Sequence, residues 1–131
     1  EHVIKFCVNN HSCVNAAIQF GGIAALDGTE EAYEEMMKKF SARRKLIHEG
    51  LNSLKGIDCS LPGGAFYAFP NVKGTGMSGA EFAKKCMYNA GVAIVPGTAF
   101  GSTAQDFVRF SFAESNENIS QAIENIKKML G

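Results

Sequence analysis

The stretch that decides the fold is Phe107-Val108-Arg109-Phe110-Ser111-Phe112. In it Val108, Phe110 and Phe112 alternate with Phe107, Arg109 and Ser111, which is the two-residue period of a β-strand. The pattern therefore predicts a β-strand in which Arg109 is the one charged residue.

Arg109 is unusual in its surroundings. The chain has thirteen lysines and arginines, but only three are arginines, and the other two, Arg43 and Arg44, lie in a charged stretch where exposure to solvent accounts for them. Burying a charge without a partner is costly, and a guanidinium fits a carboxylate with two parallel hydrogen bonds. Arg109 is therefore expected to meet an acid, either in the chain or in a ligand.

Working outward, the sequence alternates between helix and strand patterns. Apolar residues three or four positions apart predict helices over 30–55, 78–90 and 116–130. The stretch 14–27 is also predicted to be helical, although it is poorly amphipathic and contains a glycine pair. Ser78 and Glu81 have the spacing of a capping box, and Gly91 is expected to end that helix. Further strands are predicted over 57–61, 65–69 and 92–95, with Pro96 stopping the last.

This order of elements predicts an α+β fold with two layers (α/β two-layer). A small mixed or antiparallel sheet would pack with helices, be preceded by a long helix, and pair neighbouring strands as hairpins. The length of 131 residues fits one domain, 1–131, and the start at Glu1 without a methionine favours a piece cut from a longer chain.

Composition narrows the function classes. Hydrophobic residues make up 46% of the chain, the net charge is zero, and no apolar run approaches a membrane span. We therefore expect no nucleic-acid partner and no membrane partner. Neither the cysteines nor the histidines have metal-site spacing, so no metal is expected, and the cysteines are expected to be buried or half-buried free thiols in a reducing cytoplasm (Cys7, Cys13, Cys59 and Cys86).

Two glycine-rich loops invite functional interpretations. The segment Gly74–Gly79 has the form G-x-G-x-x-G, but no strand leads directly into it and no acid closes the next strand, so a loop with a helix cap is favoured over a dinucleotide site. The loop Pro96–Gly101 is either an ordinary connection or a loop that brings Phe100 to a ligand, and the residues alone leave both open.

Three motifs taken together resemble one family, and with the final helix the resemblance covers most of residues 14–131. The chain is similar to the C-terminal small domain of class I/II aminotransferases, the aspartate-aminotransferase-like group of fold-type I enzymes that depend on pyridoxal 5'-phosphate (PLP). The segments that carry the resemblance are Pro62-Gly63-Gly64-Ala65-Phe66-Tyr67-Ala68-Phe69-Pro70, Gly91-Val92-Ala93-Ile94-Val95-Pro96-Gly97-Thr98-Ala99-Phe100-Gly101 and Phe107-Val108-Arg109-Phe110-Ser111-Phe112-Ala113.

The resemblance implies roles for individual residues. Arg109 matches the arginine that binds the α-carboxylate of an amino-acid or keto-acid substrate, and Phe100 and Gly64 would line the same pocket. It implies no catalytic residue in this chain, because the family's Schiff-base lysine and large cofactor domain would precede residue 1, to which 1–28 would connect.

The same resemblance implies the setting of the complete enzyme. It would be a cytoplasmic homodimer that holds PLP and transfers amino groups in amino-acid metabolism, while this piece alone would bind no PLP and be inactive. Two alternatives stay open: a stand-alone module that binds small carboxylates or nucleotides, and a structural domain in which Arg109 pairs with an internal acid such as Glu114 or Asp106.

Overall fold

The computed structural model describes all 131 residues, and they form two compact units, Glu1–Glu34 and Glu35–Gly131. The first unit contains α1 (His2–His11) and α2 (Ala16–Asp27), and α3 (Glu31–Asn52) begins in it. After α3 the second unit contains β1 (Tyr67–Ala68), α4 (Gly79–Lys85), β2 (Val95–Pro96), β3 (Val108–Ser111) and α5 (Asn116–Leu130). The boundary between the two units lies within α3.

In the first unit α2 confirms the helix predicted over 14–27, and α1 is a helix that the sequence patterns did not predict. The Asn15 side chain caps α2 by accepting a hydrogen bond from the Ala17 amide at 2.8 Å. Every residue of this unit is exposed, and its large exposed apolar side chains are Val3, Ile4, Phe6, Val8, Val14, Ile18, Phe20, Ile23, Leu26 and Tyr33.

In the second unit three strands form one antiparallel sheet in the order β1-β3-β2. Tyr67 lies opposite Ser111 on one side of β3, and Val95 lies opposite Arg109 on the other. The strand predicted around Arg109 is therefore confirmed, and it is the central one. Burial alternates along it as the sequence indicated, since Val108 is 0% and Phe110 4% exposed while the two residues that follow them are not buried.

The core of this unit lies between that buried face of the sheet and the helices. α3 contributes Ile47 and Leu51, and α5 contributes Ile119 and Ile126. The face predicted for the long helix is therefore buried only towards its C-terminal end, because Met36 and Met37 are exposed. The helix also ends at Asn52, three residues before the predicted end.

The strand predicted over 57–61 is wrong. Only Asp58 makes a β-bridge, to Asn71, and the neighbouring residue Cys59 pairs with a side chain instead. The amide of Asn52 accepts from the Cys59 N–H at 2.9 Å and donates to its carbonyl at 2.8 Å. Because this side chain satisfies both backbone groups, the segment has no need of a strand partner there.

The strand predicted over 92–95 is misplaced. The observed strand is Val95–Pro96, so Pro96 lies inside it instead of stopping it. β2 is at the edge of the sheet, where a residue without an N–H is tolerated. Just after it, the Gly97 N–H donates to the Phe107 carbonyl at 2.7 Å and continues the pairing with the central strand.

The predicted capping box is confirmed. Ser78 and Glu81 form the capping box of α4, and the Ser115 hydroxyl accepts from the Asn118 amide at the start of α5. After α4 the helix continues through one π-helical turn, Cys86–Ala90. It ends at Gly91 as expected, where a left-handed φ of 66° suits glycine.

The four cysteines are free, but only two of them are buried. Cys59 and Cys86 lie in the core, and burial raises the pKa of the Cys86 thiol to about 12. Cys7 and Cys13 are exposed, so the expectation of burial is wrong for them. No helix combines the length and the apolar character that crossing a membrane would require.

Candidate functional site

The candidate site is the face of the sheet that carries Arg109. On β3 the core residues point to one side, so the half-buried Arg109 and the exposed Ser111 belong to the opposite side. Tyr67 of β1 lies opposite Ser111, which makes it a diagonal neighbour of Arg109 on this face. The central position in the sheet fixes the backbone of Arg109 from both sides.

The guanidinium of Arg109 packs against two aromatic rings. Its Cζ atom lies 4.2 Å from the ring centroid of Tyr67 and 4.4 Å from that of Phe100. Both distances are within the range of a favourable cation–π contact. The structure thus brings Phe100 to Arg109, which favours the functional interpretation of the loop Pro96–Gly101.

Arg109 has no acidic partner in the chain. The three ion pairs do not include it, and its side chain makes no hydrogen bond to another residue. No buried side-chain nitrogen or oxygen lacks a partner, so the unpaired nitrogens of Arg109 reach the surface. Its positive charge and its donors are therefore available to a ligand.

The two internal acids considered for Arg109 are engaged elsewhere. Asp106 lies 3.5 Å from Lys73 Nζ. Glu114 accepts from the Ser115 amide at 2.9 Å and from Asn118 Nδ2 at 3.1 Å. These hydrogen bonds, the backbone one first, lower the pKa of Glu114. The hypothesis of a structural ion pair at Arg109 is therefore wrong.

Phe100 is held by further aromatic contacts. It lies at the end of a 3-10 turn, Gly97–Phe100, and is 50% exposed. Its ring meets Phe69 edge to face at 6.0 Å between centroids, and Phe69 stacks on Phe107 at 5.3 Å. The following residue, Gly101, has φ 150° and ψ 154°, a conformation that favours glycine.

Tyr67 is the site residue that the sequence analysis did not identify. It lies within the motif Gly64–Pro70, but its relation to Arg109 depends on the pairing of β1 with β3 rather than on sequence spacing. The sequence did contain one indication of a role for Tyr67, because a strand over 65–69 places Tyr67 and Phe69 on the same face.

Gly64 lines a groove that Arg109 does not line. It is exposed in the turn before β1, and the groove beside it is lined by residues of α3 and by Phe112. The role of Gly64 in lining the substrate pocket stays a prediction.

The other two arginines have partners within the chain, contrary to the expectation that solvent accounts for them. Arg44 is half-buried and its Nε donates to the Pro62 carbonyl. Arg43 is also half-buried, with its Cζ 5.5 Å from the ring centroid of Phe40. Arg109 thus differs from Arg44 in having no acceptor in the chain, and from Arg43 in packing against two rings instead of one.

The G-x-G-x-x-G segment serves packing. A Cβ on Gly79 would lie 2.1 Å from the Phe107 carbonyl oxygen, and the Gly79 N–H already donates to Gln105 at 2.8 Å. A Cβ on Gly74 would lie 2.8 Å from the backbone of Gly56. These contacts require glycine for close approach of the backbone, which supports the interpretation of a loop with a helix cap.

Comparison with known proteins identifies the family. The sequence pattern described as "Aminotransferase class I and II" matches residues 7–126. This chain belongs to the class I and II aminotransferases.

Relatives and solved structures agree with that assignment. The aminotransferase chain is 42% identical to the aspartate aminotransferase of Pyrococcus horikoshii, over 99% of this chain and 35% of the relative. It is 36% identical to aromatic-amino-acid aminotransferase 2 of Thermococcus litoralis, over 99% and 34%. The crystal structure of an aromatic aminotransferase from Pyrococcus horikoshii superposes with a TM-score of 0.91 at 36% identity, over 97% of this chain and 34% of that one.

The predicted family and the predicted fold class, the small domain of a fold-type I enzyme, are therefore confirmed. The aminotransferase chain spans about a third of the length of the curated relatives it matches.

The residues of this aminotransferase chain do not fit PLP, the cofactor of the family's complete enzymes. A lysine that binds the cofactor needs a sheltered position where its amine loses charge easily. The thirteen basic residues less three arginines leave ten lysines, and all ten are exposed. No cluster of three or more histidine, cysteine or acidic residues could hold a metal ion.

Proposed function

We propose that this chain is the substrate-carboxylate-binding part of a PLP-dependent aminotransferase. In the complete enzyme, PLP held by residues outside this chain would supply the chemistry of amino-group transfer between an amino acid and a 2-keto acid. The observation that carries the proposal is the guanidinium of Arg109, which is held on the open face of the sheet without an acidic partner in the chain.

The chemistry of Arg109 suits an α-carboxylate. A guanidinium can donate two parallel hydrogen bonds to a carboxylate, which fixes the direction of the acid as well as its position. Holding the carboxylate in one plane restricts the orientation of the adjoining Cα–H bond, and such orientation lowers the barrier to proton transfer. Arg109 would therefore bind and orient, while the proton transfer itself would be the task of residues outside this chain.

The names of the relatives are consistent with a role of Arg109 in binding the α-carboxylate, the group that all amino acids share. One relative is named for aspartate and another for aromatic amino acids, whose side chains differ in charge and size. Both kinds of substrate carry an α-carboxylate. A site that binds this group serves either specificity, so we propose no side-chain preference for this protein.

Substitution of Arg109 in the complete enzyme tests this function. Arg109→Ala should weaken the apparent affinity for amino-acid and keto-acid substrates by about 2–5 kcal/mol, because it removes one member of a charge pair. Arg109→Lys should lose less, since it keeps the charge but not the planar fork. Steady-state KM and kcat/KM for both substrates measure the effect.

Two controls make the result specific to the carboxylate. Arg43→Ala removes another half-buried arginine that packs on a phenylalanine, and it should leave KM unchanged. The second control compares kcat/KM for an amino acid with kcat/KM for the amine that lacks its α-carboxylate. Arg109→Ala should reduce the ratio of these two values. An unchanged KM, or an equal loss for acid and amine, would contradict the role.

A further inference from the structure

We infer that Tyr67 and Phe100 form an aromatic clamp that positions Arg109 for its carboxylate ligand. This inference rests on the proposed function of Arg109 and assigns positioning roles to two residues that do not themselves supply charge. The clamp consists of these two side chains, one from β1 and one from the turn after β2.

Arg109 is held in a different way from most surface arginines. An arginine on a protein surface is usually fixed by acids or carbonyl groups, as Arg44 is by the Pro62 carbonyl. Arg109 has neither, and its guanidinium instead lies 4.2 Å and 4.4 Å from the two ring centroids. The rings are therefore the contacts of the chain that restrict where this long side chain points.

An aromatic ring can hold a guanidinium in place and leave its charge available. The negative face of an aromatic ring attracts the cation but is not a carboxylate, so it does not neutralise the charge. The rings also keep water from part of the group, which strengthens its attraction to an incoming acid. An arginine held in this way is fixed before the ligand arrives, so less side-chain freedom is lost on binding.

Both rings of the clamp are themselves supported by neighbouring residues. Tyr67 is fixed by its pairing with Ser111 in the sheet and by the ring of Phe66 at 4.5 Å. Phe100 rests on Phe69, which stacks on Phe107 at an interplanar angle of 9°. The clamp is thus joined to β3 through Tyr67 and to the residue just before β3 through Phe107, and such packing supports a positioning role.

Ring substitutions in the complete enzyme test the clamp. Tyr67→Leu and Phe100→Leu keep apolar bulk but remove the aromatic face, and each should raise the KM for amino-acid substrates about 2- to 30-fold with a smaller change in kcat. Tyr67→Phe and Phe100→Tyr keep a ring and should restore the KM. Phe40→Leu removes a ring beneath another arginine, Arg43, and should leave the KM unchanged.

A double substitution separates positioning from direct contact with substrate. If the rings act through Arg109, Phe100→Leu should cost nothing further in an Arg109→Ala background. A further rise in KM in that background would mean that Phe100 touches the substrate itself, and this would overturn the clamp.

A second readout does not depend on activity. In the isotope-labelled 131-residue chain, the Nε–Hε resonance of Arg109 should be displaced by ring currents and should move towards the ordinary arginine position in Phe100→Leu. A resonance that stays in place on loss of either ring would overturn the clamp. An unchanged KM in Arg109→Ala would refute the proposed function, whereas a raised KM in Arg109→Ala with no effect of the ring variants would refute only the clamp.

Discussion

At the scale of single residues, Asn52 at the end of α3 holds the segment that follows the helix. Its side-chain amide bonds both backbone groups of Cys59, and it also donates to the His48 carbonyl at 3.0 Å. Cys59 is 3% exposed, so its backbone lies where lost hydrogen bonds are hard for water to replace. One side chain therefore anchors the segment after α3 to the end of that helix.

Removing this amide should destabilise the chain. Asn52→Ala leaves the N–H and the carbonyl of Cys59 without partners, and the free energy of unfolding should fall by about 1–3 kcal/mol. Urea unfolding followed by circular dichroism measures the change. Asn89→Ala, which truncates an exposed asparagine without such bonds, is the matched control. Equal stability of the two variants would contradict the anchoring role.

At the scale of elements, the capping box sets the start of α4. The Ser78 hydroxyl accepts from the Glu81 amide at 3.3 Å, and the Glu81 carboxylate accepts from the Ser78 amide at 2.9 Å. Hydrogen bonds from Ser78, that of the side chain first, lower the pKa of Glu81 below its ordinary value of 4.5. Because the folded state favours the charged carboxylate, this contribution to stability is present above the unfolded pKa. It is lost as the pH falls through the folded one.

A charge-removing substitution tests this element. Glu81→Gln keeps an oxygen that can accept from the Ser78 amide but cannot titrate. Between about pH 5 and pH 3 the wild-type chain should lose more stability than the variant. Thermal unfolding at each pH gives stability as a function of pH for the wild-type chain and for the variant. Parallel curves would contradict a contribution of the Glu81 carboxylate to stability. Glu117→Gln, also in the first turn of a helix but without such a bond, controls for the loss of a surface charge.

At the scale of the whole molecule, the proposed function makes this chain one part of an active site. The sheet presents a free guanidinium, all ten lysines are exposed, and the chain spans about a third of its relatives. Under the proposed function, the groups that perform the reaction would be divided between this chain and residues outside it.

The 131-residue chain alone should therefore not transaminate. Incubated with PLP, an amino acid and a 2-keto acid, it should form no new keto acid above the rate of PLP alone. Chromatographic detection of the keto acid measures this, with the complete enzyme as the positive control. Turnover that scales with the concentration of the chain would contradict the division of the site.

Local signals in the sequence were enough for much of the fold and for the main site residue. The strand around Arg109 was predictable because its burial alternates with period two, and α4 and α5 because Ser78 and Ser115 mark their starts. The segment 57–61 was not predictable, because its partner is the side chain of Asn52 rather than a strand.

The remainder of the site depends on contacts between distant parts of the chain. Nothing in the spacing of Tyr67 and Arg109 indicates that they meet, since this requires the sheet order β1-β3-β2. The same order makes β2 an edge strand, which explains why Pro96 could lie within it against expectation. The family resemblance pointed to Arg109 and Phe100, whereas the ring on the neighbouring strand required the structure.

Pro96 also protects the sheet from unwanted association. The Gly97 N–H points towards β3, so in the alternating pattern of a strand the nitrogen of Pro96 faces the open edge. Proline has no hydrogen on that nitrogen, and a foreign strand approaching this edge would find no donor there. Pro96, which was expected to end the strand, therefore discourages hydrogen-bonded pairing between this edge and the edge strand of another copy.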